Sequence, residues 1–204
     1  MTFVPPFGPT TSTHVFDDWA RQELLERRLV FLRGELDDVT GGNLSAQLML
    51  LDGSGDDEIH LRIDSAGGSL GAAASLVDVV DNLGVPVEAL ATRAEGPALA
   101  VLAVCDQRAA SPHATLRMIE PDVRFDGNAA NLKAHLEHYQ AATKSLWQRI
   151  SAATRMTPEH VAEEFSNRRF LSPEDALALG IIDEIANPPA DIQKLRRPMG
   201  FRPS

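Results

Sequence analysis

Cysteine is almost missing from this chain: Cys105 stands alone among 204 residues, so no disulfide can form within it and a reducing, cytoplasmic location is expected. Because Cys105 lies inside an apolar run, it reads as a small buried side chain rather than a nucleophile. Positive charge is also scarce, with 19 Lys and Arg against 29 Asp and Glu, a net charge of -10 and a pI near 5.0. Nucleic-acid affinity rests on clustered Lys and Arg, so that class of partner is excluded. No stretch approaches the roughly 20 apolar residues that cross a bilayer. Met1 to Thr13 lacks a basic region followed by an apolar one and is not read as a secretory signal. What is present, 44% hydrophobic and 24% charged residues, suits one soluble α/β domain over 17–186, with a flexible segment over 1–16 and a loose, proline-rich tail over 187–204.

The stretch that organises the rest is Leu61-Arg-Ile-Asp-Ser-Ala-Gly-Gly-Ser-Leu70. An apolar run from Ile59 to Ile63 reads as a buried strand, and from Leu70 to Leu83 the apolar period changes to that of a helix. The glycines between them let the backbone take positive φ and approach a ligand closely, while the new helix starts with unpaired N–H groups. Such a turn can cradle an extended peptide or stabilise an oxyanion. Ser65 and Ser69 flank it, and a serine there reads as a helix cap.

The remaining chain alternates strand and helix, which calls for a parallel sheet with helices packed on it. A helix from Asp17 or Asp18 to Arg28 precedes a strand at Arg28–Leu32 and a helix over Val39–Leu51. Val87–Ala91 is a strand, Gly96-Pro97 opens a helix over Ala98–Val104, and two strands are expected at Gln107–Ala110 and Thr115–Ile119, separated by Pro112-His113. Ala129–Thr154 is the longest helical stretch, about 38 Å at ~1.5 Å per residue, long enough to project and meet a partner. Short helices begin at Thr157-Pro158 and Ser172-Pro173, and Gly180–Ile185 reads as a last strand.

Together, Leu24-Leu25-Glu26, Arg28-Leu-Val-Phe-Leu32, Ala46-Gln47-Leu48, Ile63-Asp-Ser-Ala-Gly-Gly-Ser69, Arg169-Phe-Leu-Ser172 and Gly180-Ile-Ile-Asp183 resemble, in order and spacing, the proteolytic subunit of the Clp protease family, whose members are ring-forming serine peptidases. The resemblance implies a crotonase-like fold of repeated β-β-α units with Ala129–Thr154 as the handle helix by which subunits interlock. It implies heptameric rings that stack around a chamber, fed by an ATP-driven unfoldase. Gly67 and Gly68 fall on the family's oxyanion and peptide-cradling glycines. No cofactor and no metal is implied.

The family's catalytic residues have no counterpart in this alignment. The serine position falls on Gly96, or on Glu95 or Pro97 with a shift of one; the histidine position on Ile119, or Glu120 with a gap; the aspartate position on Arg168. Since nucleophile, base and acid act as a unit, the expectation is a silent structural, regulatory or peptide-binding subunit, working beside active paralogues or as a homo-oligomer. Where the family presents aromatic residues for the unfoldase, this chain has His60 and Arg62, which weakens such docking. Two other readings are an active hydrolase using Ser69, or Ser111 near His113, and a crotonase-type acyl-CoA enzyme with Glu120 as base. Glu95 and Arg168, if both enter the cleft, are expected to pair.

Overall fold

The computed structural model describes residues 21–121, 123 and 125–186. The segments over 1–16 and 187–204, and the first residues of the helix expected from Asp17 or Asp18, lie outside the described residues. Residues 21–26 are helical and lead through Arg28, at φ 56°, into strand β1 (Leu29–Arg33). Helix α1 (Asp38–Asp52) follows, its first turn closed by the Asp37 carboxylate, which accepts the Thr40 N–H at 2.7 Å. That bond, stronger to the ionised carboxylate than to the acid, holds Asp37 below the usual carboxylate range. Strand β2 (Ile59–Ser65), helix α2 (Leu70–Asp81), strand β3 (Val87–Glu95) and helix α3 (Pro97–Val104) continue the alternation.

Strand β4 spans Gln107–Arg117, which corrects the expectation of two separate strands at Gln107–Ala110 and Thr115–Ile119. The chain stays extended through Pro112, but the pairing with β3 jumps from Ala91↔Ala110 to Arg93↔Thr115. Proline has no N–H for the ladder, so the residues around it bulge out of register without ending the strand. A matching shift lies between Ile63 and Asp64 of β2, where the Thr92 hydroxyl donates to the Ile63 carbonyl at 3.3 Å. These breaks divide each strand into a long and a short part, so the two strands of a β-β-α unit run into one another.

The sheet order is β1-β2-β3-β4, all parallel. Two short strands share the outer edge of β4: β5 (Phe170–Leu171) antiparallel at Leu116 and Arg117, and β6 (Glu184–Ile185) parallel at Ala109 and Ala110. The final strand is thus shorter than the Gly180–Ile185 span the sequence suggested. Ile59, Leu61, Ile63 and Ser65 of β2 are buried toward the core, while His60, Arg62 and Asp64 on the other face are half-exposed. Among the described residues, one face of this parallel sheet therefore has no covering layer of helices, an unusual condition for that architecture. At the centre of the covered side, every residue of α3 is buried. Cys105 ends α3 with its Sγ donating to the Val101 carbonyl at 3.2 Å; burial, then the neighbouring Asp106, push its thiol up to about 12, so it is an inert core residue.

The long helix α4 (Ala129–Ala153) has 25 residues and divides into two parts. Thr143, Leu146, Trp147 and Ile150 recur at helical spacing and are buried. Trp147 packs on Phe165 of helix α5 (Pro158–Ser166) with ring centroids 4.0 Å apart. Arg149 Nε donates to Asp81 of α2 at 2.7 Å. Residues 129–138 of the helix are exposed, Leu132 and Leu136 by 37% and 47%. Within α5, Glu164, only 8% exposed, accepts two contacts from Arg169 Nη1, each at 3.1 Å. Helix α6 (Pro173–Leu179) begins with the reciprocal Ser172–Asp175 capping box.

Arg108 binds these parts together. Its guanidinium forms a fork with Asp183 (2.9 and 2.6 Å) and donates to the Ala103 and Ala153 carbonyls at the ends of α3 and α4 (3.1 and 2.6 Å). Arg108→Met should cost about 2–3 kcal/mol through the stranded carbonyls and the unpaired carboxylate, read by urea denaturation. The fork also holds Asp183 below its ordinary 3.8, so the protons must bind more readily in the unfolded chain. Its contribution is therefore complete above that value and is lost as pH falls through the depressed one. Wild type and Asp183→Asn should differ in stability at pH 7 and converge in strong acid; a difference that persists unchanged there would contradict the assignment.

Candidate functional site

The carboxyl ends of parallel strands are where open α/β sheets place their ligands, and here β2 and β3 both end in tight glycine turns. At the end of β2, Gly67 and Gly68 take φ 112° and 146°. Leu36 N–H donates to the Gly67 carbonyl at 2.8 Å and Ser69 N–H to the Leu36 carbonyl at 2.7 Å. A Cβ on Gly68 would lie 2.2 Å from the Leu36 oxygen, so only glycine fits that contact. Ser65 is fully buried, accepting the Gly67 N–H at 3.3 Å and donating to its carbonyl at 3.2 Å. Ser69 caps α2 by accepting the Ala72 N–H at 3.3 Å. Both serines are thus used by the backbone of the turn, and among the described residues the Gly68 N–H donates to no protein acceptor.

The second turn faces the first. Gly96 joins β3 to α3 at φ 50°, ψ -121°, a conformation that L side chains seldom adopt. It is the strand-to-helix elbow on which hydrolases present a nucleophile, with a glycine at the tip. Its N–H donates to the Arg117 carbonyl at 2.9 Å. A Cβ there would stand 2.7 Å from the Ile119 oxygen and 3.3 Å from the Ile119 side chain. Gly67 meets the same elbow from the other side, its missing Cβ pointing at the Glu95 oxygen (3.3 Å) and Pro97 Cδ (3.8 Å). Pro97, the first helical residue, offers no N–H to the cleft. The structure therefore brings Gly67, Glu95, Gly96, Pro97 and Ile119 to one place.

Arg168 approaches from the end of α5. It is exposed and held at φ 55°, and its carbonyl accepts from Arg117 Nε at 3.4 Å. The cation beside Glu95 is Arg117, 3.8 Å away, which replaces the Glu95–Arg168 pair expected from sequence. The reason is register: Glu95 and Arg117 are direct cross-strand partners, whereas Arg168 comes from another element. Arg117 also lies over the Phe170 ring, 4.3 Å from its centroid. Sequence reading had no signal for Arg117, because the register of β3 on β4 is set across the bulge at Pro112.

Beyond the elbow, a cleft of about 400 Å³ runs between Gly68, Ser69 and Gly71 on one side and Pro121, Phe125 and Tyr139 on the other. Phe125 stacks on His135 of α4, with centroids 5.8 Å apart and planes within 6°; both His135 and His138 are exposed. Glu120 is half-buried at the mouth of a second groove, beside Tyr139 and Trp147. Ser111 and His113 lie in the unpaired part of β4, and no hydrogen bond joins them.

His60 and Arg62 point to the uncovered face of the sheet. His60 Nδ1 lies 2.9 Å from Glu88 Oε2 and its Nε2 3.8 Å from Glu58 Oε1, while Arg62 Nη1 is 3.8 Å from Glu88 Oε1. The face is therefore polar and already ion-paired. Glu58, His60 and Glu88 place their ligand atoms within 4.8 Å of one another, a grouping invisible in sequence because Glu88 comes from a different strand.

A model of the Clp protease family matches residues 11–189. Proteolytic subunit 3 of the ATP-dependent Clp protease from Streptomyces coelicolor is 29% identical over 203 residues, covering 95% of this chain and 92% of that protein. The subunits named 3 and 1 from Streptomyces avermitilis are 29% and 27% identical over 171 and 194 residues, covering 82% and 91% of this chain and 78% and 88% of theirs.

Two substitutions probe the cleft. Gly68→Ala should be the more damaging, because the new methyl meets the rigid backbone of Leu36, whereas Gly96→Ser should cost about 1–3 kcal/mol through strain and crowding against Ile119. Thermal melts should rank them in that order; equal stability for Gly68→Ala and wild type would contradict the close approach.

Proposed function

The chain belongs to the Clp protease family, and from that membership we propose that it is a catalytically silent subunit that assembles into a ring and holds extended peptide segments without cutting them. The observation that carries this reading is the elbow at Gly96. Strand, strained turn and buried helix are all kept, yet the tip bears no side chain. The Ile119 main chain occupies the ground beside it, and the position where the family resemblance implies an aspartate carries Arg168. Proton abstraction needs a hydroxyl and a base within hydrogen-bond reach. Ser65 and Ser69, the nearest hydroxyls in sequence to the glycine turn, already bond to backbone.

Peptide holding is supported by what the turn retains. Gly68 N–H is open to the cleft, and apolar Pro121 and Phe125 with half-buried Tyr139 form the opposite wall. This combination binds a main-chain carbonyl and an apolar side chain. Pro97 at the start of α3 reduces the donors aimed at a developing oxyanion, so the cleft favours ground-state binding over transition-state stabilisation. Proteins of this family form oligomeric rings, and here the exposed half of α4 and the uncovered sheet face are the surfaces available for neighbours. Partner subunits are copies of this chain or active relatives, and the assembly test below distinguishes the two.

A fluorophosphonate probe should leave the protein unlabelled under conditions that label an active relative, and Gly96→Ser should not introduce labelling. Stoichiometric labelling of the wild type, lost on one Ser→Ala change, would overturn the silent-subunit reading. Native mass should be several times that of the 22.1 kDa chain when the protein is alone, or the chain should enter a larger assembly with an active relative that then co-purifies. Leu136→Asp, on the exposed half of α4, should lower that mass while leaving the thermal melt of the subunit intact; a monomer under both conditions would exclude ring assembly.

A further inference from the structure

The two faces of the sheet differ in chemistry, and the uncovered one holds a donor set that peptide binding does not use. His60 and Glu88 are direct partners in the parallel register of β2 and β3. Glu58 precedes His60 by two residues, so the alternation of an extended chain brings it to the same face. The imidazole and the two carboxylates offer one ligand atom each, all within 4.8 Å. A tetrahedral ion with bonds of about 2.0–2.2 Å needs donors roughly 3.3–3.6 Å apart, so closure requires side-chain shifts on the order of 1 Å. Glu58, the most exposed of the three, can make that shift without disturbing the ladder.

From this arrangement we propose that Glu58, His60 and Glu88 bind one divalent transition cation of the zinc type on the uncovered face of the sheet. The nitrogen-plus-carboxylate set suits zinc or its first-row neighbours, whereas calcium and magnesium call for oxygen ligands in larger number. Two carboxylates and the nearby Arg62 guanidinium give the group a formal charge of -1, which a divalent ion reverses only to +1. Arg62 contributes in another way. Among the described residues its Nη1 is buried without a hydrogen-bond acceptor, and it stands 3.8 Å from Glu88 Oε1. A Glu88 that turns one oxygen to a cation can bring the other to Arg62, which gives the ligating carboxylate the outer hydrogen bond such ligands use. Three protein ligands leave the fourth position for water or for a donor from a docked protein. This site does not depend on whether the subunit cuts peptides.

The test titrates zinc chloride into the full-length, chelator-stripped protein by calorimetry, with cobalt substitution read in the visible spectrum. One equivalent should bind, cobalt should give the intense bands of a four-coordinate site, and zinc should raise the melting temperature. Glu88→Gln should weaken binding at least about tenfold, by comparison with the 10–100-fold lost even with outer-shell partners. His60→Ala should remove both binding and the thermal shift while keeping the circular dichroism of the fold. Substituting His14, His135 or His138 by alanine should change none of these. The proposal is overturned by the absence of saturable binding at one equivalent, by binding that survives His60→Ala, or by binding lost with the other histidines instead.

Discussion

The close approach of Leu36 to the Gly67–Gly68 turn is the contact on which the cleft depends. Two short backbone hydrogen bonds of 2.8 and 2.7 Å tie the entrance to α1 to the entrance to α2, and a single β-carbon on Gly68 would forbid both. Because β2 is buried on its core side and paired on both edges, it cannot move to relieve such a clash. The pair of glycines therefore fixes where β2 stops, where α2 starts, and how one cleft wall faces the Gly96 elbow.

The opposite wall is fixed by different means. The Arg117 carbonyl holds the Gly96 N–H, and the Arg169 carbonyl accepts the Met118 N–H at 2.9 Å. Arg169 in turn reaches back to buried Glu164. A motif that reads in sequence as Arg-Phe-Leu-Ser thus works as a strap, joining α5, β4 and α6 behind the cleft. Arg108 does the same on the far side of the domain, where the ends of α3 and α4 meet Asp183. The body of the protein is rigid at both ends of α4's buried half, and rigidity there lets the exposed half stand out as an arm.

Much of the fold was legible because its signals are local. The change of apolar period at Ser69-Leu70, Pro97 at a first helical position, and the Ser172–Asp175 capping box depend on neighbours within a few residues. The helix over Ala129–Ala153 could be seen from length and periodicity alone. Pro112 in sequence suggests a break between two strands, since a proline usually ends a ladder; in the fold a register shift accommodates it within the single strand β4. Gly180–Ile185 was read as a strand throughout, yet only Glu184 and Ile185 pair, because β4 has a short free edge at that height.

What the sequence by itself determined was the order of strands and helices, the positions of the glycine turns, and the residue types at Gly96, Ile119 and Arg168, for these follow from composition and local period. Which of those residues meet was decided by tertiary structure. The register of β3 on β4 gave Glu95 to Arg117 rather than Arg168, and that of β2 on β3 set His60 against Glu88. These parallel pairs join residues 28 and 22 positions apart, and a bulge of one or a few residues changes every contact beyond it. No local pattern records such an offset, so the charges of this site became readable only once the strands were laid side by side.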